Sequence, residues 1–196
     1  MTSTDATLRP QEDARSRVDS ALGMVFFVGS WSMAFGTLFL SFMVLRERVG
    51  VWPPPGVELP SFGIAAAGTA VLLVSSWLIH RAVGLTRKGE SAAASTWGLG
   101  LALGLAFAGV QTWLWADLLA RGSAPTAGVY ESLFFGLTWI HAAHVAVALA
   151  ALIFIQVGLS SGRYGAHRLA AVQNVAIFWH FMDVVWVILF AGIFVF

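Results

Sequence analysis

A chain of 196 residues in which 58% are hydrophobic and only 11 Lys and Arg plus 10 Asp and Glu carry charge lacks the side chains for a water-facing perimeter. A formal net charge of +1 gives no concentrated basic face for nucleic acid. The absence of cysteine excludes disulfides, iron–sulfur clusters, thiolate zinc sites and covalently attached c-type haem. What is left is an all-α, polytopic membrane helix bundle.

In chain order, residues 1–21 are polar and mixed in charge, and no small-residue cleavage site follows the first apolar run. They read as a disordered polar tail before a retained helix, with residues 22–196 forming the transmembrane domain. Five apolar runs reach or exceed the roughly 18 residues that cross a bilayer: 24–45, 62–79, 97–119, 129–158 and 170–196. The first is followed by a link holding Pro53, Pro54 and Pro55, which cannot continue a helix. Trp52, before those prolines, and Trp97, at the start of the third run, suit interfacial aromatic belts. In the third run Gly100 and Gly104 stand at GxxxG spacing, which lets helix backbones approach closely.

Arg9, Arg15, Arg17, Arg81, Arg87, Lys88, Arg163 and Arg168 fall on the side of the tail, against Arg46, Arg48 and Arg121 on the other. The positive-inside bias then puts the N-terminus in the cytoplasm and the C-terminus outside.

In so apolar a chain, ionisable groups at membrane depth are the informative ones. His141 and His144 in the fourth run, and His180 and Asp183 in the fifth, are each spaced i, i+3 and so share a helix face. Antiparallel neighbouring helices would let the four face one another. Three readings are open: a metal site, since two His and a carboxylate are a recognised ligand set; a proton relay, since His titrates near neutrality; and a structural polar network joining helices. The last is favoured, with no metal and no catalytic residue assigned. Gln111 reads as a hydrogen-bonding group between helices, and Arg46 as a partner for lipid phosphate or Glu131.

Three segments together carry a resemblance. Phe27-Val-Gly-Ser-Trp-Ser-Met-Ala-Phe35 runs on to Val44-Leu-Arg46 and is followed by Trp52-Pro-Pro-Pro-Gly56; Tyr130-Glu-Ser-Leu-Phe-Phe-Gly-Leu-Thr138 leads into His141-Ala-Ala-His-Val145; and Phe178-Trp-His-Phe-Met-Asp-Val-Val-Trp186 stands in the last run. From about Leu22 onward the chain resembles subunit III of the haem–copper oxidases in its five-helix bacterial form. The resemblance implies an accessory subunit with no redox centre of its own. It would belong to a proton-translocating cytochrome c oxidase of the bacterial cytoplasmic membrane, with haem and copper held by subunits I and II. It also implies bound phospholipid, stabilisation of subunit I, and placement of His141, His144, His180 and Asp183 on the family's polar positions. Trp31, Arg46, Trp52, Gln111, Trp179 and Trp186 become candidates for lipid or subunit interfaces. Alternatives are subunit III of a quinol oxidase, the subunit-III-like partner of a nitric oxide reductase and, from another class, a small independent transporter.

The departures are informative. Where the family's first motif usually reads Ser-Glu, this chain has Ser30-Trp31, and where a second glutamate usually follows the glutamine by three positions it has Leu114. Glycines usual in the fourth helix appear as Glu131, Trp139 and Ala142. Loss of both buried glutamates removes any carboxylate-dependent proton role at those positions and makes Trp31 a packing residue or the wall of a lipid cleft.

Overall fold

A computed structural model describes residues 3–49, 51, 54, 56, 57 and 60–195, with side chains described from Leu22 onward except at 167 and, in the tail, only at Asp19. Trp52, Pro53 and Pro55 lie outside the described residues, as do the side chains of Arg9, Arg15 and Arg17. Five helices are present: α1 Ser3–Val49, α2 Phe62–Lys88, α3 Ala92–Ala120, α4 Val129–Ser160 and α5 Leu169–Phe190. A 3-10 turn, Ala166–Arg168, precedes α5, and a π-helical turn, Ala191–Val195, continues it. Each of the five contains a stretch long and apolar enough to cross a bilayer, and no strand occurs among the described residues. The chain is an integral membrane helix bundle.

Two expectations change. The polar N-terminal segment is helical from Ser3 and continuous with the first span, because residues 3–22 contain helix formers and a single proline, Pro10, with no glycine. The second helix runs nine residues beyond 79, to Lys88. Arg87 and Lys88 at its end complement the negative pole of the helix dipole, so basic residues that resemble a link in sequence instead finish the helix. Gly89 stops it: at φ 71° it occupies the left-handed region, where its N–H reaches the Thr86 carbonyl and that of Glu90 reaches Leu85. This is a Schellman cap, and it needs glycine. Only three residues, Gly89, Glu90 and Ser91, then separate α2 from α3.

The short turn makes α2 and α3 an extensively packed antiparallel pair; α5 lies against α2 and α4, and α3 also packs on α4. Small residues set the spacing. A Cβ on Gly100 would come within 2.8 Å of the Ile79 side chain, and one on Gly104 within 2.9 Å of the Trp179 ring. Real Cβ contacts are longer, so the GxxxG face seats α2 on one glycine and the α5 indole on the other. Ser75 Oγ donates to the Gly100 carbonyl at 2.7 Å, which fastens the α2–α3 contact.

Trp97 does not sit in an interfacial belt. It is fully buried and its Nε1 donates to the Leu152 carbonyl of α4 at 3.0 Å. Trp179 and Trp186, read as candidates for lipid or subunit interfaces, are likewise buried within the chain, at 0% and 1% exposure. The Trp186 indole donates to Thr69 Oγ1 at 3.0 Å while that hydroxyl donates to the Ala65 carbonyl at 2.8 Å. A polar tip that finds its partner on the neighbouring helix carries the whole ring into the core.

Helix α1 differs from the rest. It packs mainly on α5 and α4, and in its span 11% of residues are buried by the chain, against 33–44% in the other four. Phe26, Met33 and Leu40 stand outward on it.

Candidate functional site

The four ionisable groups singled out by their spacing separate into two clusters; among the described residues no hydrogen bond or ion pair joins one pair to the other. The first cluster lies between α2 and α5. His180 Nδ1 is 2.5 Å from Ser76 Oγ and 3.9 Å from Asp183 Oδ2, while the exposed His80 ring has its centroid 6.0 Å from that of His180. Asp183 is buried beside Ser76 and His180. The sequence lent two of these residues and missed two. Ser76 and His80 are spaced i, i+4 on one face of α2, but reading His80 as the start of a polar link hid that signal.

The second cluster is aromatic. His141 stacks on Trp186, with ring centroids 5.7 Å apart and planes inclined by 26°, and meets Phe35 edge-on at 6.2 Å. It is 2% exposed, and both of its ring nitrogens are without a hydrogen-bond partner. His144, half-buried, donates from Nδ1 to the Ile140 carbonyl at 2.7 Å, which fixes that nitrogen as the protonated one. Trp31 of α1 packs against the His144 ring with centroids 4.1 Å apart, and Phe35 lies 5.2 Å from the same ring. The indole that stands where the resemblance expects a carboxylate is therefore a packing group, holding α1 to α4 with help from Phe27.

A cleft of about 170 Å³ opens between α3 and α4, lined by Gln111, Trp115 and His141 among apolar neighbours. Gln111 is buried, and its Nε2 finds no partner across the interface; the same holds for Trp115 Nε1. Leu114, which occupies the position of the second expected glutamate, is fully buried and brings no polar atom to this region.

Arg46 Nη1 donates to the Gly192 carbonyl at 3.1 Å, in the π-helical turn after α5. Such a carbonyl lacks an intrahelical donor, and a cation at a helix C-terminus is favourable. Asp117 is instead paired with Arg121, one turn on in the sequence. Among the described residues no three His, Cys, Asp or Glu side chains gather at metal-ligand spacing.

Comparison with known proteins adds a family. The sequence profile described as cytochrome c oxidase subunit III matches residues 2–196. A cytochrome c oxidase subunit 3 of Thermostichus vulcanus is 30% identical over 176 residues, covering 89% of this chain and 86% of that protein. A probable cytochrome c oxidase subunit 3 of Nocardia farcinica is also 30% identical over the same shares of the two chains. A probable quinol oxidase subunit 3 of Staphylococcus haemolyticus is 28% identical, covering 88% of this chain and 87% of that one.

Proposed function

The chain belongs to the cytochrome c oxidase subunit III family, and on that premise we propose that it serves as the accessory, non-redox subunit of a cytochrome c oxidase, docked on the subunits that hold haem and copper. It is a subunit III of a haem–copper oxidase, a membrane-embedded part of an oxidase complex. The finer reading is that it stabilises subunit I, contacts subunit II and holds phospholipid, within a complex that couples oxygen reduction to proton translocation. Cytochrome c is preferred over quinol as donor because the relatives at 30% identity bear the cytochrome c oxidase name. The quinol oxidase relative is the observation that favours the second reading.

The observation that carries the docking role is α1. Five spans share one bundle, yet α1 leaves most of its apolar surface uncovered by its own chain. Helix association in lipid rests on packing and small polar contacts, so a weakly packed helix gains most from another polypeptide or an ordered lipid. Trp31, wedged at the α1–α4 contact, would form the wall of a lipid cleft.

Orientation is part of the proposal. With residues 1–21 on the cytoplasmic side of a bacterial cytoplasmic membrane, the helical extension from Ser3 projects into the cytoplasm and the chain ends on the outer side. In the same reading the polar groups of α2 and α5, Ser76 with His180 and Thr69 with Trp186, are interhelical fastenings, and His141 and His144 join helices through ring packing.

The test is gentle solubilisation of native membranes followed by purification through this chain. The expected result is co-purification of a haem-bearing oxidase that oxidises reduced cytochrome c. Oxidation of quinol but not cytochrome c would replace the donor, and recovery of the chain without any haem-bearing partner would overturn the function.

A further inference from the structure

A carboxyl group buried in a membrane bundle needs a counter-charge, because an isolated carboxylate away from water is very costly. Asp183 is 4% exposed, and no other Asp or Glu occurs on α5. Among the described residues no lysine or arginine forms an ion pair with it. The sequence shows why. Residues 24–45 of α1, 62–79 of α2 and 92–116 of α3 contain no ionisable side chain, and between Ser132 and Ser160 α4 brings only His141 and His144. His141 packs on Trp186 and His144 on Trp31, and neither is ion-paired with Asp183. The first cation beyond the apolar part of α2, Arg81, is exposed and lies 5.6 Å over the outward Trp77 ring.

What Asp183 does have is an imidazole. His180 stands one turn before it, with Nδ1 3.9 Å from Oδ2, and the same nitrogen is 2.5 Å from Ser76 Oγ on α2. His80, exposed on α2, is the other titratable group facing His180, with ring centroids 6.0 Å apart. The counter-charge that this chain can offer the carboxyl is therefore a proton, carried on its own oxygen or on the imidazole. Either placement leaves the pair with no net charge. Either also lets Nδ1 bond to Ser76, whose hydroxyl accepts from an N–H or donates to a bare nitrogen.

We propose, on the footing of the fastening role given to this contact above, that Asp183 and His180 bind one shared proton and that α5 loosens from Ser76 of α2 as that proton is lost.

Proton counting gives the direction. In an unfolded chain aspartate and histidine release their protons at about 3.9 and about 6.5. Above the second value the native pair holds one proton and the unfolded chain none, so stability falls as pH rises until the pair itself lets go. Between the two values both states hold one, and the pair gives no pH dependence. Without His180 the native carboxyl has to carry the proton alone, and the fall begins at the lower value. Without Asp183 the imidazole stays neutral above the higher value, and the fall there disappears.

The experiment follows the unfolding of this subunit in the purified intact complex as pH is raised through both windows. Unsubstituted protein, His180→Gln, Asp183→Asn and the double variant are compared, the double variant giving the baseline for every other ionisable group. Above about pH 6.5 the unfolding constant of the unsubstituted subunit should rise about ten-fold per pH unit relative to that baseline, as one extra bound proton requires. His180→Gln should begin the same rise at a lower pH, and Asp183→Asn should show none above about pH 6.5. Should His180→Gln fail to assemble, the comparison of the unsubstituted subunit with Asp183→Asn decides on its own. Parallel profiles of those two overturn the proposal. So does a His180→Gln rise that starts no earlier than in the unsubstituted subunit, which would mean that a basic group of another subunit neutralises Asp183. Equal unfolding of all the variants at every pH would remove the fastening along with its proton.

Discussion

Helices α2–α5 and the membrane span of α1 are comparably apolar in sequence and differ in how far their own chain covers them. In the four-helix core, glycines admit large side chains and indoles reach across to partners: Gly104 seats Trp179, Gly100 seats Ile79, Trp97 bonds to α4, and Trp186 bonds to α2. On α1, Phe27, Trp31 and Phe35 meet Phe178 and His144 along one edge. Farther along, Phe42 is buried and Arg46 reaches Gly192, but most of the span is left uncovered by the chain. The core derives its stability from itself, whereas α1 is placed to exchange contacts with something else. In a bilayer this distinction lies in shape and hydrogen bonding, because lipid is as apolar as leucine.

The comparison breaks most sharply at the glycines. Gly104→Val would press a branched side chain into the Trp179 ring and the Leu149 methyl, and overpacking of this kind costs about 1–3 kcal/mol or more. A large fall in the thermal unfolding midpoint of the detergent-solubilised complex, seen as early loss of this subunit, is the expected outcome. Next comes Asp183→Asn, which keeps the size of the side chain but replaces the carboxyl group facing His180 with an amide. Disturbing a buried polar contact costs on the order of 1–3 kcal/mol, read as weaker retention of this subunit through purification. Thr69→Val is isosteric and takes away the acceptor of the Trp186 indole. Leaving that N–H unpaired should lower the unfolding midpoint by an amount equivalent to about 1–2 kcal/mol.

The smallest effect on the fold belongs to α1. Met33→Ser on its outward face should change the unfolding midpoint of the chain by no more than about 0.5 kcal/mol equivalent, yet reduce recovery of the haem-bearing partner. Equal losses of fold stability from Met33→Ser and Gly104→Val would erase the distinction between α1 and the core.

Much of the architecture is legible in the sequence because hydropathy and length are what membrane insertion reads. The five spans and the close approach at Gly100 and Gly104 follow from residue type and spacing, while the reading of Trp31 as a packing group came from the resemblance. Hydropathy does not tell a lipid-facing indole from a buried one, so Trp97, Trp179 and Trp186 read as surface aromatics although each is buried by a partner helix. An i, i+3 spacing fixes a shared face but not the neighbour that face meets. His180 and Asp183 turn toward Ser76 on α2, while His144 turns toward α1. The basic end of α2 was hidden for a different reason: charge marks where a helix meets water, not where it stops, and the stop belongs to Gly89.

The most direct test of the central claim, that α1 is the docking helix of an accessory subunit, is site-specific photocrosslinking in native membranes. A photoreactive amino acid would replace Phe26 or Met33 on α1 in one set of variants, and the equally outward Trp77 of α2 or Phe154 of α4 in another. The account predicts that the α1 positions crosslink to the haem-bearing subunit or to tightly bound phospholipid, and that Trp77 and Phe154 yield little of either. Crosslinks to the haem-bearing subunit from Trp77 or Phe154, with none to protein or lipid from α1, would contradict it.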